Sequence, residues 1–297
     1  MKPLCSLKVL DLTDGNPYTG SMFADYGADV LKIENPIGGD SIRRRGAKDK
    51  EEGIYQAFYN RGKKSMTLDI SKSAGGEVLK RLAPHFDMLV VNKPEEEMKK
   101  LGLGYEDLKA VNPRLIYGVL TPYGETGPWK DMPDYDWIFR PHVIACAFGK
   151  ADPLGVASDT QGEPAVPAPE RICGVGGGEA VSNPLRQRIR DYFATITIEE
   201  ADMICREAMV PGGPCNTFKE LANDPQVADR KMLIHIQDPA AGDTLQIGRA
   251  AKFIGGPEDG DDTIAPAPVL GADTENYLKE LGITGEKMEH MRAEGII

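Results

Sequence analysis

Along the first 120 residues, short β-branched apolar runs alternate with segments whose apolar positions recur at helical spacing. Leu7-Lys8-Val9-Leu10-Asp11-Leu12-Thr13 predicts a strand, Ser21 to Tyr26 a helix closed by Gly27, and Asp29-Val30-Leu31-Lys32-Ile33-Glu34 a second strand. The rhythm continues with a strand over Met66 to Ile70, a helix from a Ser71 cap to about His85, and a buried strand over Met88 to Asn92. A short helix from Tyr105 to Val111 and a strand over Leu115 to Leu120 complete it. Strands separated by helices need crossover connections, so the pattern predicts the α/β class with a doubly wound, mainly parallel sheet of Rossmann-like type.

Beyond this region the pattern changes. Residues 151–190 carry 6 Gly and 5 Pro, which suits a linker or an active-site crossing better than a regular element. Helices are expected over Arg186 to Phe193, Ile198 to Met209 with Thr197 as cap, and Phe218 to Asn223. A sparse β region from Leu233 to Phe253, a loop from Gly255 to Pro268 and a charged helical tail from Thr274 to Glu294 follow. The expected organisation is an α/β domain over 1–150, a crossing over 151–190, and a reduced second domain with the C-terminal segment over 191–297.

Composition narrows the function. The 297 residues are 41% hydrophobic and 27% charged, enough for a packed core, and the net charge is −11. With no basic run longer than Arg43-Arg44-Arg45, a partner rich in phosphate such as duplex nucleic acid is not expected. No apolar window approaches a membrane span and the N-terminal scatter is too short for a signal core, so a cytoplasmic protein is expected. Five cysteines without C-x-x-C spacing, and four histidines without ligand spacing, suggest neither a disulfide framework nor a metal site. No G-x-G-x-x-G follows the first strand, so a dinucleotide cofactor has no support.

In a parallel sheet the ligand lies outside the carboxyl ends of the strands. The segments there are Asp14-Gly15-Asn16-Pro17, Asn35-Pro36-Ile37-Gly38-Gly39-Asp40, Asn92-Lys93-Pro94 and Thr121-Pro122-Tyr123-Gly124. Such residues also make ordinary turns, and both readings apply to them.

The order of several segments resembles a known family. They are Val9-Leu10-Asp11-Leu12-Thr13, the run Tyr26 to Pro36 with Gly38-Gly39-Asp40, Asn60-Arg61-Gly62-Lys63-Lys64-Ser65, and Leu101-Gly102-Leu103-Gly104-Tyr105-Glu106. Asn112-Pro113-Arg114, Tyr123-Gly124-Glu125-Thr126-Gly127-Pro128, Tyr135-Asp136, Pro211-Gly212-Gly213-Pro214 and the closing Leu281-Gly282-Ile283 follow in sequence. Together they resemble the class III coenzyme A transferases, the group of formyl-CoA transferase, carnitine dehydratase and the bile-acid-inducible F protein. The resemblance implies a CoA transferase that moves CoA between an acyl-CoA and a small carboxylic acid through an aspartyl-CoA thioester. The CoA thioester is then a substrate, no cofactor is permanently bound, and a homodimer is the expected assembly.

Carried over by position, Asn16 matches a residue near the thioester. Lys32, Glu34, Gly38 and Gly39 match the first CoA-contacting loop, Asn92 the loop that holds adenine, and Tyr135-Asp136 an aromatic-acid pair after the fifth strand. The nucleophile has two registers. One aligns Ala157-Ser158-Asp159-Thr160-Gln161-Gly162 with the family's catalytic turn and makes Asp159 the nucleophile, whereas the other puts Cys173 or Gly174 in that place.

Two further departures bear on activity. Family members are longer in the middle, and Pro94-Glu95-Glu96-Glu97 sets three acids where a diphosphate would be repelled. A non-catalytic, shortened member that binds acyl-CoA or a paralogue is therefore the alternative. An acyl-CoA racemase comes third, because Tyr135 stands where that branch has a histidine.

Overall fold

The computed structural model describes residues 2–15, 18–46, 53–122, 124–127, 130, 191–208, 217–249, 251 and 263–297. By compactness the chain divides into one unit formed by residues 1–130 and 222–297 and another formed by 131–221.

Five parallel strands form the centre of the first unit: β1 (Lys8–Asp11), β2 (Asp29–Glu34), β3 (Lys64–Thr67), β4 (Met88–Val91) and β5 (Ile116–Val119). Their order across the sheet is β3-β2-β1-β4-β5. The helices α1 (Tyr18–Asp25), α2 (Ile54–Tyr59), α3 (Ser73–Leu82), α4 (Glu95–Lys100) and α5 (Tyr105–Val111) fill the crossovers. This is the doubly wound α/β sheet expected from the pattern, with the strand order reversing between β1 and β4.

Both faces of the central strands are buried, which explains why they read as continuous apolar runs. Side chains alternate across the sheet: Leu10, Leu31 and Leu89 enter a large core with Leu79 of α3 and Leu108 of α5. Val9, Val30 and Val90 face the other way, against Ala24 of α1.

The C-terminal chain completes this unit. After α8 (Pro225–Asp229), β6 (Leu233–Asp238) and β7 (Gly242–Ile247) form an antiparallel hairpin within the sparse β region. The charged tail is two helices, α9 (Thr274–Glu280) and α10 (Glu286–Ala293), whose Leu278, Met288 and Met291 join the larger core. Asp273 and Thr274 cover the open edge of β3, accepting from the Ser65 and Thr67 amides at 2.9 Å each. Tertiary packing, invisible to composition, joins the described residues of 222–297 to the sheet.

In the second unit the described residues include α6 (Ile198–Glu207), capped reciprocally by Thr197 and Glu200. Residues 191–193 are helical, and α7 (Phe218–Ala222) leads back to the first unit. One cap differs from expectation. The Ser71 hydroxyl donates to Asp69, so α3 starts at Ser73 after Lys72 with no side-chain cap.

Candidate functional site

Beneath the carboxyl ends of β1, β2 and β3 lies a buried set of three carboxylates and three cations. Pairing of β1 with β2 sets Asp11 beside Lys32, and α1 lays Gly20 against Asp11 so closely that a methyl group there would fall 2.1 Å from Asp11 Oδ2. Lys32 Nζ lies 2.8 Å from Asp40 Oδ2 and 3.5 Å from Asp11 Oδ1, and it donates to the Thr13 hydroxyl and carbonyl. Lys63 Nζ is 2.8 Å from Asp11 Oδ2 and donates to Asn60 Oδ1 at 2.9 Å. The third pair is two-pronged: Arg43 Nε and Nη2 each approach a Glu34 oxygen at 2.7 Å.

Charges removed from water must be balanced by near neighbours, and these are. Burial pushes the Asp11 carboxyl up, but Lys32 and Lys63 outweigh it and hold the group well below the usual carboxylate range. Burial likewise raises Glu34 and Asp40, yet Arg43 brings the first below its usual value and Lys32 the second. Lys32 is pulled down by burial and carried above its ordinary value by Asp11 and Asp40. Lys63 differs. Burial, with the repulsion of Lys32, outweighs its attraction to Asp11 and lowers it to about 8.

This ionic layer shapes the loops above it. Glu34 Oε2 accepts from the Asp40 amide at 2.9 Å, and Asp40 Oδ1 accepts from the Gly15 and Ile42 amides at 2.8 and 2.9 Å. Between Glu34 and Asp40 the chain turns through Gly38 and Gly39 at φ 80° and 63°, a region that favours glycine, and a side chain at Gly39 would also strike Arg43 and Glu34. Asn92, after β4, pairs with the backbone of Asp14: its Oδ1 accepts from the Asp14 amide at 2.9 Å and its Nδ2 donates to the Asp14 carbonyl at 2.7 Å.

Of the expected site residues, Lys32, Glu34, Gly38, Gly39 and Asn92 all lie at this end of the sheet. The side chains of Lys32 and Glu34 are buried and occupied by protein partners. Asn16, Tyr135, Asp136 and Asp159 lie outside the described residues, as do Cys173 and Gly174. Glu95, Glu96 and Glu97 form the first turn of α4, where the helix dipole favours acids; Lys99 pairs with Glu96 at 2.9 Å and Lys93 with Glu97 at 2.7 Å. Asp11, Arg43 and Lys63 are not among the expected site residues. The available signal for them was Lys32 and Glu34 inside an apolar strand, since a charge in a strand buried on both faces needs a partner.

Among the described residues, no three His, Cys, Asp or Glu side chains are grouped to hold a metal ion, and no helix is long and apolar enough to cross a membrane.

The sheet and its loops define an α/β protein whose strand order reverses between β1 and β4, and open α/β sheets bind their ligands outside the carboxyl ends of the strands at such a reversal. The chain belongs to CoA-transferase family III, whose model matches residues 4–147 and 140–274. It is 35% identical over 171 residues to a succinate–glutarate CoA-transferase of Agrobacterium fabrum, covering 54% of this chain and 41% of that protein. It is 32% identical over 216 residues to the beta subunit of a succinyl-CoA–L-malate CoA-transferase of Chloroflexus aurantiacus, covering 70% of this chain and 52% of the relative. The chain thus spans about half the length of these curated relatives, or less. The fold is shared with a CaiB/BaiF family protein of Brucella suis, at a TM-score of 0.65 and 21% identity, over 94% of this chain and 99% of the other.

Proposed function

We propose that the protein transfers CoA between an acyl-CoA and a free carboxylic acid, with CoA lying across the carboxyl ends of β1, β2 and β4. The observation that carries this reading is the match to the family model over residues 4–147 and 140–274. Relatives named for succinate, glutarate and malate suggest small dicarboxylic acids as the substrate class. In this reading the glycine backbone of 38–39 and the loop at Asn92 face the nucleotide part of CoA. Lys32 and Glu34 act from inside, holding the loop that carries Gly38 and Gly39. In the same proposal Asn16 acts on the thioester, and Tyr135 and Asp136 are further substrate-binding residues.

Asp159 is the nucleophile of this proposal. Its carboxylate attacks the acyl-CoA carbonyl, forming a mixed anhydride and releasing CoA thiolate. The thiolate then attacks the aspartyl carbonyl, giving the aspartyl-CoA thioester and freeing the donor acid. An acceptor carboxylate repeats the exchange in reverse, so one difficult displacement becomes several easier ones. A homodimer is part of the same proposal.

A second reading is a member that binds acyl-CoA without turnover. Thermal melting with CoA and intact-mass measurement after incubation with succinyl-CoA separate the two. Ligand at a hundredfold excess over Kd stabilises by about 2.7 kcal/mol, so the melting temperature should rise. A CoA adduct should form in the parent protein and disappear in Asp159→Asn. A shift without an adduct selects the non-catalytic reading, an adduct that survives in Asp159→Asn moves the nucleophile elsewhere, and no shift with millimolar CoA overturns both readings.

A further inference from the structure

We infer that Asp14 is a positioning residue for the CoA site, tying together the three loops that follow β1, β2 and β4; this rests on the proposed location of CoA. Asp14 stands three residues beyond the end of β1, the strand between β2 and β4, and so at the point where strand order reverses. Each of its polar groups is committed to a neighbouring loop. The backbone amide and carbonyl form the reciprocal pair with the Asn92 side chain, at 2.9 and 2.7 Å, after β4. The side-chain Oδ1 accepts from the Ser41 amide at 2.7 Å, in the loop after β2. The next residue extends the tie, the Gly15 amide donating to Asp40 Oδ1 at 2.8 Å.

Asp14 is solvent-exposed, in contrast to the ionic layer beneath it. Its side chain fills no core space and balances none of the buried charges, so the fold of the sheet does not depend on it. What the carboxylate does is hold the start of the Ser41–Arg44 turn against the β1 loop. That turn closes the Gly38-Gly39 loop, whose backbone must be in place before a ligand arrives if binding is not to bear the cost of ordering it.

Calorimetric titration of CoA into the parent and three variants tests the inference. Asp14→Ala removes the acceptor, and Asp14→Asn keeps an oxygen in the same place. Ser41→Pro removes the donor at the first position of a turn, where proline is accommodated and where Asp40 already has the extended backbone, φ −60° and ψ 138°, required before a proline. Losing a hydrogen bond to a charged acceptor should weaken CoA binding by about tenfold or more in Asp14→Ala. Asp14→Asn should recover most of that loss, and Ser41→Pro should match Asp14→Ala. Joining Ser41→Pro with Asp14→Ala should weaken binding no further, because both remove one bond. In the free protein, the amides of 39–44 should exchange with deuterium faster in Asp14→Ala while the strands keep the parent's protection.

Unchanged affinity in Asp14→Ala, equal losses in the Ala and Asn variants, or additive losses in the double variant would each overturn the inference while leaving CoA binding intact. Slow exchange over 39–44 in Asp14→Ala would do the same. A parent protein that fails to bind CoA would overturn the proposed function itself, and this inference with it.

Discussion

Lys64 and Lys32 each meet a carboxylate at almost the same distance, 2.7 Å to Asp29 and 2.8 Å to Asp40, yet they lie in opposite environments. The Lys64 pair is at the amino-terminal end of the sheet, its side chains 45% and 33% exposed, on an open cleft of about 310 Å3 with Lys8, His85, Asp273 and Tyr277 in its wall. The Lys32 pair reaches the carboxyl-terminal end, where both side chains are 1% exposed and every neighbouring charge is paired inside the protein. At the open end water can replace a lost partner. At the closed end it cannot, so the same distance carries a different energy. The difference teaches that the loops proposed to hold CoA rest on a layer of charges that must remain paired, whereas the opposite end is free to change.

The largest expected effect is that of Lys32→Met, which leaves Asp11 and Asp40 buried without their shared cation. Removing one partner of a buried pair costs about 3–5 kcal/mol, so urea denaturation should show a loss of that size. A loss below about 1 kcal/mol would put the two ends of the sheet on the same footing.

Titration takes away part of the same energy. The Asp11, Glu34 and Asp40 carboxyls are held below their usual values of 3.8 for aspartate and 4.5 for glutamate. Below those values the unfolded chain takes up protons that the folded protein refuses. Stability from these groups is therefore fully present above about pH 4.5 and is lost as the pH falls further. Lys63, lowered to about 8 from its usual 10.5, works in the other direction: between those values the unfolded chain holds the extra proton, so its contribution rises with pH. Urea midpoints measured across pH should fall in acid for the parent, and Lys63→Met should lack the rise between 8 and 10.5. A midpoint unchanged from pH 6 to 3.5 would show that the carboxylates titrate alike in both states.

The smallest effect belongs to the open end. Lys64→Met should change stability by about 0–1 kcal/mol, the range of exposed ion pairs, in the same urea assay. A cost near that of Lys32→Met would mean that the amino-terminal cleft is also closed to water.

Local chemistry made much of the framework legible. The strand at Asp29–Glu34 and the helix at Tyr105–Val111 match their expected limits, because turn residues bound them: Gly27 before the first, and Gly104 with Asn112-Pro113 around the second. The helices Ile54–Tyr59 and Glu95–Lys100 were not expected. Each is six residues long, too short to be stable alone, and is held by burial of Ala57 in one and Met98 in the other.

The amino-acid sequence by itself determined the α/β alternation, the family, and which segments follow the strands, since these depend on apolar periodicity, turn residues and the order of short motifs. Only the tertiary structure decided what the charged residues in those segments do. The partners of Lys32 and Glu34 could not be read from their own strand. Strand pairing then brought Asp11 beside Lys32, and the turn after β2 carried Asp40 and Arg43 back over the sheet. An ion's partner is set by position in space, and residues as distant along the chain as Asp14 and Asn92 become neighbours only when parallel strands align.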